Sequence, residues 1–376
     1  MIKINEIKWM AIDSEFAKIQ GEIDIDNYLS PVNRAEELEK FKKRYLNGES
    51  YNPLFHYDSL PDIGEKQLDM LKIQLNPENP MENVYIEAIE NRQEEAAAAR
   101  THYPDIITSF SKRTYGEPNT DLCNAAKHNL DRLSPDQRAY NGEVSGKIYN
   151  ADELATICRN AMKSYGFHWN VKVVPEMGAK MAVDNLVREF WIRKDVKFHE
   201  SLVKMMVVHE IGTHVLRSEN GYAQPLKLFG RGLPAYQFTE EGLAEYAEER
   251  CGVLMDETVY RISGRVIGVH AALNGSFWDT FQAVKPYFDV DMAFDIAQRV
   301  KLGFTDTSAH GAYTKDYTYL AGLHRMRSFF DSAGKADIDA LFAGKVSFEH
   351  LEMVRILQNQ GFLCWPKVYP EWFTEI

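Results

Sequence analysis

Apolar positions along this chain change period twice. Up to about residue 133 they recur at three and four residues, the spacing of amphipathic helices. Residues 1–50 read as helical, with ELEKFKKRYLNG ending in a Gly48 that suits a helix stop. Tyr51 to Asp62 is aromatic and broken by proline, which predicts a packed loop. Helical spacing returns from Gln67 to about Leu133; the run IEAIENRQEEAAAAR at 86–100 is rich in strong helix formers and predicts a solvated helix face. A polar, turn-rich bridge at Ser134 to Gly146 and a helix over Asp152 to Ser164 come next. The period then shortens to two. Trp169 to Val174 alternates as a strand, Lys180 to Val183 and Val187 to Arg193 follow as two more, and a small mixed sheet is expected. Helical spacing resumes in FHESLVKMMVVHEIGTHVLR, Phe198 to Arg217, where Leu202, Met205 and Met206 define an apolar face. After the loop NGYAQPLKLFGRGLP, a helix opens with Thr239 as its expected N-cap, packing helices cover Glu248 to about Val269 and Asp291 to Val300, and the tail from Leu351 carries one helix and an aromatic end. The pattern predicts an α+β fold, mostly helical.

The chemistry concentrates where the sheet meets the Phe198 to Arg217 helix. His209, Glu210 and His214 put two imidazoles and a carboxylate on a segment that should be buried, and buried ionisable groups are costly without a partner. A divalent metal would be that partner. In the helical zinc motif H-E-x-x-H the histidines stand four apart, about 40° round the axis; five apart, as here, they stand about 140° round. One ion could join them only if the turn widened into a π-type bulge, and Gly212 lowers the cost of that distortion. Without a metal, His209 would be a core histidine and His214 a helix-end cap. A site built on two histidines needs a third protein ligand. Glu241 and Glu245 share a helix face and either could supply it, whereas Glu240 points elsewhere.

Length and charge narrow the classes. With 376 residues and 45% hydrophobic content the chain can build a large core, and a formal charge of -12 argues against general affinity for nucleic acid or an anionic membrane. No stretch approaches the ~18 apolar residues of a membrane span, and the N-terminus lacks the apolar run of a signal peptide. Cys123, Cys158, Cys251 and Cys364 show no paired spacing, which suits a reducing, cytoplasmic setting.

HEIGTH, the following NG-x-AQP and EEGLAEYAE together resemble the family described through its QEGLA motif, which includes the microtubule-associated tyrosine carboxypeptidases and their bacterial relatives. YNPLFHY, FSKRTYGEPN at 110–119 and GAYTKDYTYLAGL at 311–323 extend the resemblance over roughly residues 50–330. Glu240 departs from the bacterial motif, which has glutamine there. The resemblance implies a single Zn2+ held by His209, His214 and Glu241, with Glu210 as the catalytic base. The expected organisation is a gluzincin-like catalytic core over 151–335, a helical N-terminal region over 1–150 packed on it, and a C-terminal helix and aromatic tail over 336–376, although the resemblance itself does not reach the first 50 residues or the tail. The activity expected is hydrolysis of the C-terminal peptide bond of a peptide or protein tail, and the sequence names neither that tail nor an oligomeric state. A carboxypeptidase must also hold a free carboxylate, for which Lys315 and Arg299 are candidates, and an oxyanion, for which Tyr313, Tyr317 and Tyr319 are. An endopeptidase or aminopeptidase would share the zinc core. A non-catalytic zinc-stabilised binding protein, or a metal-free scaffold, would share the fold without turnover.

Overall fold

The computed structural model describes residues 4–21, 23–132, 146–175, 177 and 180–375, and the expected bridge at Ser134 to Gly146 lies outside these apart from Gly146. The chain forms two compact units. One comprises Met1–Ala17, Asn141–Leu254 and Gly322–Ile376; the other comprises Lys18–Tyr140 and Met255–Ala321. The described residues are mostly helical with two small sheets, an α+β fold.

In the first unit, Asn150 opens the Ala151–Ser164 helix with a capping box, its side chain accepting from the Glu153 amide while Glu153 accepts from the Asn150 amide. That helix buries Leu154, Ala155, Cys158 and Met162 along one stripe. Five strands follow the change of period: β1 Ile148–Asn150, β2 Asn170–Val174, β3 Met181–Asp184, β4 Glu189–Arg193 and β5 Lys197–His199. β4 is central to a mixed three-stranded sheet, parallel to β2 with Val171 opposite Phe190 and antiparallel to β3 with Met181 opposite Ile192. β1 and β5, too short to stand out from sequence, pair antiparallel. Phe190 and Ile192 project from β4 into a core completed by Ile211, Val215, Leu216, Leu243 and Phe342, all fully buried. The histidine helix therefore runs through the centre of this unit. The aromatic tail packs back on the same core: Trp372 meets Tyr246 at 5.7 Å and Phe330 at 5.6 Å between ring centroids.

The second unit is a helical assembly around an aromatic cluster in which Phe41 stands 4.7 Å from Phe281 and 5.2 Å from Phe294. Gly48, left-handed at φ +77, ends the Arg34–Leu46 helix as expected. The Tyr51 to Asp62 segment is the packed loop its prolines suggest, joined to the rest by a bridge between Leu54 and Asp306. The run at 86–100 departs from expectation: within the Pro80–Thr101 helix, Ile89, Arg92, Ala96, Ala98 and Ala99 are buried, so it is a packed helix and not a solvated face. Alanines let neighbours approach closely, and Arg92 is held inside by donating to the Gln20 and Ile23 carbonyls. Lys301 is also buried, its ammonium donating to the carbonyls of Ala272, Gly275, Ala309 and Gly311.

Candidate metal centre

The histidine helix is continuous but not uniform. It is α over Glu200–Met206, π over Val207–Val215 and α again over Leu216–Tyr222. In the π turn hydrogen bonds run from i to i+5, as from the Leu216 amide to the Ile211 carbonyl, so residue i+5 sits one turn above residue i. This brings His209 and His214 to one side, their ring centroids 5.0 Å apart. Gly212 is not demanded by crowding, since a Cβ there would meet the Val207 carbonyl oxygen at 3.7 Å, an ordinary contact.

Glu241 faces both rings. Its Oε2 lies 3.8 Å from His209 Nε2 and 3.9 Å from His214 Nε2. Donors bound tetrahedrally to zinc at 2.0–2.1 Å stand roughly 3.3–3.4 Å from one another, so Glu241 would need to close on each ring by only about half an ångström. Glu245 clusters with His209 and Glu248 and not with both histidines. Glu241 and Glu245 come from the Tyr236–Arg250 helix, which begins after a left-handed Ala235. Thr239 is therefore not its N-cap; it is buried within the helix and its hydroxyl accepts from the Phe348 amide.

Each imidazole is oriented from behind. His209 Nδ1 bonds Glu248 Oε1 at 2.7 Å and His214 Nδ1 bonds Glu240 Oε1 at 2.9 Å, which turns both Nε2 atoms toward Glu241. Burial opposes charge on His209, yet the Glu248 hydrogen bond and the charges of Glu210, Glu248 and Glu245 push its pKa up to about 10. A concentration of carboxylates that favours a proton there also favours a divalent cation. Glu240 is held well below the usual carboxylate range: burial works to raise it, and Lys345, Arg217 and His214 outweigh that effect. Glu210 is half-buried, and its charge adds to burial in pushing the Cys158 thiol up to about 12. Zinc suits this donor set, with His209, His214 and Glu241 as the residues that would hold it.

Sequence reasoning set Glu240 aside and did not single out Glu248, although Glu241, Glu245 and Glu248 recur at helical spacing on one face. The motif after the histidines also acquires a role. Asn220 accepts from the Lys367 and Val368 amides and donates to the Val368 carbonyl, Tyr222 donates to the Asn185 carbonyl at the β3–β4 turn, and Gln224 exchanges hydrogen bonds with the Cys364 backbone. NGYAQ thus ties the end of the histidine helix to the sheet and to the tail.

The remaining candidates lie in the second unit. Arg299 grips Asp316 through two bonds of 2.6 and 2.7 Å. Arg265 approaches the same carboxylate at 3.6 Å and lies over the Tyr319 ring. Lys315 pairs with Asp26 at 3.1 Å, and the buried Tyr313 hydroxyl bonds Asp26 and the Tyr115 hydroxyl. Tyr317 donates to the Tyr115 carbonyl. Next to Asp26, the Glu95 carboxyl is pushed up to about 8 by burial and then by the Asp26 charge.

A family model described as microtubule-associated tyrosine carboxypeptidase matches residues 39–376. Over 157 residues the chain is 36% identical to microtubule-associated tyrosine carboxypeptidase 1 of Rattus norvegicus, a stretch covering 40% of this chain and 32% of that protein. The same protein from Homo sapiens is 35% identical over 157 residues, covering 40% of this chain and 32% of its own length. The chain thus spans about a third of the length of the curated relatives it matches. With nine-tenths of its length matched by the family model, the chain belongs to the microtubule-associated tyrosine carboxypeptidase family.

Proposed function

We propose that this chain is a zinc-dependent metallocarboxypeptidase of gluzincin-like character, hydrolysing the C-terminal peptide bond of a peptide or protein tail. The observation that carries the metal reading is the π turn, which brings His209 and His214 together before Glu241 while Glu248 and Glu240 fix their orientation. Zinc, when bound, supplies a Lewis acid that polarises the peptide carbonyl and lowers the pKa of water toward neutrality. Glu210, beside His209 on the same helix, takes the proton of the attacking water and hands it to the leaving amine. Tyr313 and Tyr319 are the candidates for stabilising the oxyanion, and Lys315 and Arg299 for receiving the substrate's free carboxylate. Either cation would have to loosen its present pairing, with Asp26 or with Asp316, to do so.

The exopeptidase assignment draws on the family description, and the relatives' name makes a tail ending in tyrosine the first substrate to test. The four cysteines form no disulfide among the described residues, which supports a reducing, cytoplasmic setting. The test is zinc content by elemental analysis together with cleavage of one peptide carrying either a free or an amidated C-terminus. We expect about one zinc per chain, cleavage of the free form alone, and a Glu210→Gln variant that keeps the metal and loses hydrolysis. Hydrolysis by that variant at the parent's rate would remove Glu210 as the base; cleavage of the amidated peptide would make the enzyme an endopeptidase or aminopeptidase.

A further inference from the structure

We infer that Glu240, Arg217 and Lys345 form a buried charged brace that positions His214, making Arg217 and Lys345 positioning residues for the metal although neither reaches it; this rests on the zinc reading above. The Glu240 carboxylate serves three donors. Oε1 accepts from His214 Nδ1 at 2.9 Å and from Lys345 Nζ, and Oε2 accepts from Arg217 Nη1 at 2.5 Å. Arg217 and Lys345 are both buried, and each is anchored independently of Glu240. Arg217 Nη2 donates to the Val346 carbonyl at 2.6 Å and to the Leu341 carbonyl, while the Lys345 amide donates to the Phe229 carbonyl and its own carbonyl accepts from the Leu233 amide. The brace therefore joins the histidine helix, the Tyr236–Arg250 helix and the 341–346 segment.

Stability alone is a poor reason for such a cluster, because buried ion groups can often be replaced by apolar side chains without loss. Orientation of His214 is a better one. Arg217 and Lys345 hold the Glu240 carboxylate in place from two sides, so its Oε1 stays against Nδ1 of His214 and the ring is turned with Nε2 on the side of Glu241. The other imidazole is treated differently. Glu248 orients His209, but its Oε2 makes no hydrogen bond among the described residues. The charge of the brace, one anion against two cations, is thus particular to His214.

The experiment is a double-mutant cycle with Glu240→Gln, Lys345→Met and the combined variant. It reads zinc affinity by competition with a chromophoric chelator, the visible absorption of the cobalt(II)-loaded protein, and the unfolding midpoint of the metal-free protein. Each single change should weaken zinc binding by about 10-fold or more and alter the cobalt spectrum. In the combined variant, because Lys345 acts through Glu240, the loss should be no greater than that of Glu240→Gln alone, with the spectrum of that single variant. Lys345→Arg, which keeps the charge, should bind zinc within a few-fold of the parent, and it carries the test if Lys345→Met does not fold. Multiplicative losses, unchanged affinity in a folded Lys345→Met, or a Lys345→Arg as impaired as Lys345→Met would each overturn the brace. A parent chain that binds no zinc would instead overturn the metal reading on which the brace depends.

Discussion

Melting the protein with zinc and with a chelator gives the most direct test of the proposed centre. Glu241 Oε2 stands 3.8 and 3.9 Å from the two Nε2 atoms, against roughly 3.3–3.4 Å between donors on zinc, so binding requires little rearrangement. It also relieves a local excess of negative charge, since Glu210, Glu245 and Glu248 all act on His209. A ligand bound to the folded state alone, at 100 times its dissociation constant, stabilises that state by about 2.7 kcal/mol. For a folding unit of 150–250 residues each kcal/mol moves the melting midpoint by roughly 2–4 °C. The midpoint in free zinc at that excess should therefore lie about 5–11 °C above the midpoint in EDTA. Calorimetry, or tryptophan fluorescence from Trp169, Trp191 and Trp372 in the same unit, would follow it. His214→Ala, run in parallel, should lose most of the difference. Coincident melts of the parent with zinc and with chelator would refute the metal centre.

Other substitutions test the surrounding structure. A Cβ on Gly242 would strike the Gly322 backbone, so Gly242→Ala should cost about 1–3 kcal/mol in urea unfolding, and an unchanged midpoint would show that these helices can separate freely. Lys301→Met would remove the buried donor shared by four carbonyls and should cost about 3 kcal/mol or more by the same measurement; a neutral outcome would mean water replaces the ammonium. Glu95, raised from 4.5 to about 8 in the folded chain, binds its proton more tightly folded than unfolded, so its contribution is present below pH 4.5 and is lost as pH rises through 8. The urea midpoint should fall between pH 5 and 8, and Glu95→Gln should flatten that fall; an identical pH profile in the variant would refute the assignment.

Local periodicity carried the elements well. The three strands of the larger sheet, the Ala151–Ser164 helix and the stop at Gly48 all follow from apolar spacing and turn residues, and the five-residue histidine spacing required a π turn if one ion was to join both rings. What escaped depends on partners far along the chain. Glu240 reads as an ordinary helix glutamate until Lys345 arrives from the 341–346 segment, and Thr239 reads as a cap because nothing nearby shows that Phe348 will use its hydroxyl. The 86–100 run misled for a related reason: alanine raises helix propensity on a solvated face and close packing on a buried one, and composition does not distinguish them. Between Glu241 and Glu245, helical spacing left a tie; the resemblance pointed to Glu241, and the folded chain sets Glu241 facing both histidine rings.

The packing of the tail bears on how the first unit is made. Trp372 leaves the ribosome long after Tyr246, the residue it covers, and Asn220 and Gln224 likewise wait for backbone from 364–368. During synthesis the glutamate-bearing helix must emerge with part of its apolar surface uncovered, whereas the aromatic core of the second unit draws on residues already translated by position 321. The order of translation thus delays completion of the half that carries the histidine helix, and a nascent chain halted before the tail would expose that surface to chaperones or proteases.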